Sequence, residues 1–94
     1  MKTKAKIMIV DDAEMNREIL MVILGDEYEY VQAENGRQAI HILQQDMNID
    51  LMLLDINMPE MNGFQVLDRM NTFHWINDIP VIMISSEEKK DVIE

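Results

Sequence analysis

The sequence predicts an α/β fold, a parallel sheet with helices on its faces. The apolar runs IMIV (7–10), LMLL (51–54) and VIMI (81–84) are each about strand length and lack polar alternation. Continuous runs of this kind suit strands buried on both faces of a parallel sheet. Between them, apolar residues recur at helical spacing, and strand-like and helical stretches alternate along the chain. That alternation calls for helical crossovers, which are right-handed.

The elements follow in order. After IMIV, residues Met15, Ile19, Val22 and Ile23 fall at i, i+4, i+7 and i+8, which predicts an amphipathic helix with Gly25 as its stop. YEYVQA (28–33) reads as a weaker strand, and its acidic residue suits a sheet edge. ENG (34–36) reads as a turn into a second helix striped by Ala39, Ile40, Leu43 and Met47. LMLL is the third strand. Val66, Leu67 and Met70 stripe a third helix. Pro80 fits the first position of the last strand, where no ladder donor is needed. A fourth helix begins after that strand.

Ninety-four residues suit one domain, spanning 1–94. With no cysteine there is no disulfide framework and no thiolate metal site. The start, MKTKAKIMIVDD, has too short an apolar run for a secretory signal, and no run approaches a membrane span. A cytoplasmic protein without a membrane partner is therefore expected. The formal net charge of −10 repels phosphate backbones, which argues against nucleic-acid binding by this segment. The ten methionines are expected to fill core gaps.

The strand ends carry the chemistry. IMIV is followed by Asp11 and Asp12, LMLL by Asp55, and VIMI by Ser85 and Ser86. In a parallel sheet these ends point the same way, to the rim where open α/β sheets bind ligands. Asp55 is thus expected to be lifted out of the core onto that rim. Three carboxylates together repel one another, and a cation compensates. Mg²⁺ is the natural choice, since it takes oxygen ligands and keeps waters or a phosphate. No His or Cys lies at the rim to hold zinc. A carboxylate beside such an ion can serve as nucleophile toward phosphorus. Each position also has a local reading: Asp12 as a helix N-cap, Ser85 with Glu88 as a capping box, Asp55 as a turn residue. One shared rim accounts for all of them at once, and capping leaves the paired acids half explained.

The blocks IMIVDD, LMLLDINMPEMNG and PVIMISS, in this order and spacing, resemble the response-regulator receiver domain of two-component signalling, of the chemotaxis-regulator type. The resemblance implies a flavodoxin-like, doubly wound sheet of order 2-1-3-4, with strand 5 and the last helix missing. It implies Asp55 as phospho-acceptor, with the phosphoryl group coming from a sensor histidine kinase. Asp12 would hold Mg²⁺ directly and Asp11 through water, with Asp55 and the backbone carbonyl of Asn57 completing the ligands. Ser85 would turn its hydroxyl toward the phosphoryl group. Asn57 and Glu87 would tune phosphoryl lifetime, and Met58, Pro59 and Gly63 would shape the loop, Gly63 because its backbone turn leaves no room for a side chain. Such a domain is not an enzyme beyond its own phosphorylation and dephosphorylation.

The family's lysine at the end of a fifth strand has no counterpart in residues 1–94, so the receiver is expected to be C-terminally incomplete. Lys89 and Lys90 fall on the early fourth helix and are poor substitutes. The VIMI strand then has an open side, and self-association or strand exchange through residues 80–85 is expected. His41 is expected to be partly buried, His74 and Trp75 to pack or lie on a loop surface, and Asn16 and Arg17, which have the reach to lean over the rim, to be solvated by default. Two other functions compete. A Mg²⁺-dependent phosphatase of the haloacid-dehalogenase type also uses an aspartate after a strand, but needs a second one two residues on, where Asn57 stands. A receiver-like binding module that is never phosphorylated is the third reading.

Overall fold

The structure is a computed structural model and describes residues 4–85. Its elements are β1 (Ala5–Val10), α1 (Glu14–Leu24), β2 (Tyr28–Ala33), α2 (Gly36–Gln45), β3 (Leu51–Asp55), α3 (Gly63–Thr72), a 3-10 turn (Trp75–Asn77) and β4 (Val81–Ile84). The four strands form one sheet of order β2-β1-β3-β4, and every neighbouring pair is parallel. The predicted fourth helix, with Ser86, Glu87, Glu88, Lys89 and Lys90, lies outside the described residues.

Alternation along the strands divides the core into two layers. Met8, Val10, Met52 and Leu54 point to one face, where Ala39 and Leu43 of α2 and Val66 and Met70 of α3 close over them. Ile7, Ile9 and Leu53 point to the other, under Leu20, Met21 and Leu24 of α1. Met8, Met52 and Met70 are fully buried, as expected of gap-filling methionines, whereas Met15 is exposed.

Helix α1 forms where expected but turns the other way. Met15, Val22 and Ile23 are 70%, 79% and 71% exposed, and Ile19 is also open to solvent. The reason is local: residues 19–24 are all apolar, so spacing allows two possible inward faces. Packing on Ile7, Ile9 and Leu53 selects Leu20, Met21 and Leu24.

The helix ends behave as their sequences suggest. Gly25 adopts φ 94° and returns its N–H to the Met21 carbonyl. Asn35 caps α2 through a 2.7 Å bond from the Gln38 N–H. Asn62 and Gln65 form a reciprocal capping box at α3, with both bonds at 2.9 Å. Met47 falls beyond the end of α2 and is exposed, and His41, expected to be partly buried, lies on the outer face of α2. Trp75 is half-buried and stacks on Phe73, with ring centroids 4.8 Å apart.

Candidate functional site: a three-carboxylate cluster

The site forms where β1 and β3 end side by side. β1 passes into Asp11, whose N–H continues the ladder to the Ala33 carbonyl of β2 at 3.1 Å. β3 runs through Asp55, which lies opposite Ile84 of β4. The adjacent ends bring Asp11, Asp12 and Asp55 together, with one carboxylate oxygen from each within 4.8 Å of the others.

Burial within the cluster is uneven. Asp11 and Asp55 are both 2% exposed, and Asp12 faces solvent. The expectation that Asp55 is lifted out of the core is therefore corrected. β3 extends one residue past its apolar run, and the Ile56 N–H still bonds to Ile84 at 2.9 Å. The following loop closes over the strand end, because the Gly63 N–H bonds to the Ile56 carbonyl at 3.0 Å. Gly63 is needed for that close approach and not for an unusual backbone angle: a β-carbon there would lie 2.5 Å from the Asp55 carbonyl oxygen. In the same loop Met58 is buried in the core, Pro59 is exposed, and Glu60 takes φ 66°.

Backbone donors orient the two buried acids. The Ala13 N–H donates to Asp11 Oδ1 at 2.9 Å, and the Asn57 N–H donates to Asp55 Oδ1 at 3.2 Å. Asp55 thus does take part in a local turn, while also standing beside two other acids. Asp12 does not cap α1; Ala13 holds the N-cap position without a side-chain bond.

Asn16 and Arg17 are not the solvated residues expected. Asn16 Nδ2 lies 3.4 Å from both Asp11 carboxylate oxygens. Arg17 Nη1 donates to the Asp11 backbone carbonyl at 2.7 Å, and its Nε donates to Gln32 Oε1 at 2.9 Å. The available signal was their place in the first turn of α1, since helical side chains lean toward the N-terminus and so toward the rim. Ser85, the last described residue, is exposed and one position beyond Ile84. Glu87 lies outside the described residues.

At an effective dielectric of about 20, the buried pair Asp11–Asp55 repels by on the order of 3 kcal/mol. Three carboxylates with no imidazole or thiolate among them form a hard-oxygen donor set, and the open Asp12 side leaves room for waters. That chemistry fits Mg²⁺.

Comparison with known proteins agrees with this geometry. The family model described as the response regulator receiver domain matches residues 7–94. The two-component response regulator ORR3 of Oryza sativa subsp. indica is 32% identical over 82 residues, covering 86% of this chain and 63% of its own length. Response regulator RR06 of Streptococcus pneumoniae is 41% identical over 81 residues, covering 85% of this chain and 36% of its own length. The chain thus spans less than two thirds of these relatives. Among solved structures, chemotaxis response regulator CheY4 of Vibrio cholerae superposes with TM-score 0.80 at 29% identity, over 97% of this chain and 76% of its own. Response regulator TrrA of Thermotoga maritima, solved in complex with Mg²⁺–BeF, gives TM-score 0.78 at 31% identity, over 95% and 76%.

Proposed function

The chain belongs to the response regulator receiver domain family, and from that premise we propose that it takes a phosphoryl group onto Asp55 from the phosphohistidine of a sensor histidine kinase. The observation that carries the proposal is the convergence of Asp11, Asp12 and Asp55 within 4.8 Å, with Asp55 buried at the end of β3.

In the proposed reaction an Asp55 carboxylate oxygen forms a bond to phosphorus as the phosphorus–nitrogen bond breaks. The electron pair of that bond leaves with the imidazole, and Asp55 becomes an acyl phosphate. The Asn57 N–H keeps the Asp55 carboxylate turned toward the rim. Asp12 directly, Asp11 through water, Asp55 and the backbone carbonyl of Asn57 would hold Mg²⁺. When bound, that ion supplies positive charge against the three carboxylates and the incoming phosphoryl oxygens. Ser85 would offer its hydroxyl to the phosphoryl group, and Asn57 and Glu87 would set how long it lasts.

The domain works on its own side chain and turns over no external substrate. No helix among the described residues is long and apolar enough to cross a membrane, and we place the domain in the cytoplasm. We also propose a second copy of this chain as a partner, pairing along the outer edge of β4. The phosphatase alternative lacks support: its general acid would fall at Asn57, whose amide does not donate a proton in that way.

Incubation with Mg²⁺ and acetyl phosphate tests the assignment by mass spectrometry. A base-labile phosphoryl adduct on the wild type, absent in Asp55→Asn, is expected. A wild type that never forms the adduct overturns the proposal in favour of a binding module. Steady release of phosphate from small esters overturns it in favour of the phosphatase.

A further inference from the structure

Resting on the Mg²⁺ site just described, we infer that Arg17 is a positioning residue for that site, acting through a two-point clamp and not through its charge. Its Nη1 holds the Asp11 carbonyl at 2.7 Å while its Nε holds the Gln32 side chain at 2.9 Å. One guanidinium therefore ties the turn after β1, the first turn of α1 and the end of β2 together. The carbonyl it holds belongs to the peptide joining Asp11 to Asp12. Because a peptide unit is planar, anchoring that oxygen fixes the direction in which Asp12 leaves the chain. Asp12 is the exposed member of the cluster, so its aim depends on its backbone more than on packing around its side chain. Asp11 has other anchors, from the Ala13 N–H at 2.9 Å and Asn16 at 3.4 Å.

Charge and clamp predict opposite outcomes. A fixed cation held against Asp11 opposes the arrival of another cation at the cluster. If charge were the whole of Arg17's contribution, deleting it would tighten Mg²⁺ binding. If the clamp dominates, deleting it loosens Asp12 and weakens binding. Residues that orient metal ligands typically change affinity by roughly 10–100-fold when removed. Lysine keeps the charge but lacks the planar fork that reaches two acceptors.

The test is calorimetric measurement of the Mg²⁺ dissociation constant, with each variant first checked for its fold by circular dichroism. Arg17→Ala and Arg17→Lys are both expected to weaken binding by about tenfold or more. Gln32→Ala removes one anchor without touching a carboxylate and is expected to weaken binding by a smaller factor. Arg17→Ala binding as tightly as wild type, or more tightly, overturns the inference, and so does full rescue by Arg17→Lys. Should Arg17→Ala fail to fold, Gln32→Ala decides, and an unchanged constant there overturns the clamp. A wild type that binds no Mg²⁺ overturns the metal site itself and this inference with it. Loss confined to the variants leaves the site standing and supports the clamp.

Discussion

Gly63 and Asp55 are in backbone contact: a β-carbon at Gly63 would sit 2.5 Å from the Asp55 carbonyl oxygen and 2.9 Å from the Ile56 α-carbon. The start of α3 is thereby pressed onto the end of β3, and both contacts are to backbone, which cannot rotate away as a side chain would. Gly63→Ala is expected to destabilise by about 1–3 kcal/mol, the usual range for overpacking. Because the strain falls on the peptide of Asp55, the proposed phospho-acceptor, Mg²⁺ affinity should fall as well. Urea unfolding and calorimetry measure the two effects, and a variant with wild-type values for both would show that the contact relaxes freely.

The clustered carboxylates should make the metal-free protein less stable than it could be. Asp55→Asn removes one of two buried like charges while keeping an oxygen that can accept from the Asn57 N–H. In chelator the variant should be more stable than wild type by on the order of 1–3 kcal/mol, the scale of close repulsion at this depth. Mg²⁺ should then narrow the difference. At ten times its dissociation constant an ion bound only to the folded state adds about 1.4 kcal/mol to wild type, and the variant should gain less. Thermal unfolding with chelator and with Mg²⁺ checks both signs.

Asn62 and Gln65 satisfy each other's backbone donors at the entrance of α3. Asn62→Ala leaves the Gln65 N–H without its side-chain acceptor, and a loss of about 1 kcal/mol is expected. Asn62→Asp keeps the acceptor and should recover most of it. A denaturant midpoint that does not move in Asn62→Ala would show the capping box to be dispensable.

β4 bonds only to β3 among the described residues, and its four residues carry no charge. Along the row Ile9–Leu53–Ile82, exposure rises from 0% to 6% to 50%. An uncharged apolar edge favours pairing with a second copy, while the net charge of −10 on each copy opposes it. Association should therefore increase with salt, as screening shortens the repulsion. Ile82→Lys should abolish it with little cost to the monomer, since half of Ile82 already faces water. Sedimentation in low and high salt measures this, and a wild type that stays monomeric throughout would disprove pairing at β4.

Much of this was legible because it depends on short stretches of chain. Three of the four strands followed from unbroken apolar runs, and the stop of α1 and the turn into α2 followed from Gly25 and ENG, where local hydrogen bonding or backbone freedom decides. The rim acids were visible because a parallel sheet sends every strand end the same way. Spacing could not say which side of α1 faces inward. Six consecutive apolar residues, 19–24, satisfy either choice until the sheet beneath is in place.

By itself, then, the sequence determined the order of elements and the acids that terminate β1 and β3, since each is specified by neighbours within a few residues. Tertiary structure alone decided that Asp11 and Asp55 are buried while Asp12 is open, that Gly63 serves a close contact, and that Arg17 reaches both Asp11 and Gln32. Those features join residues far apart in the chain, and their energies exist only once strand pairing and helix packing have set the distances.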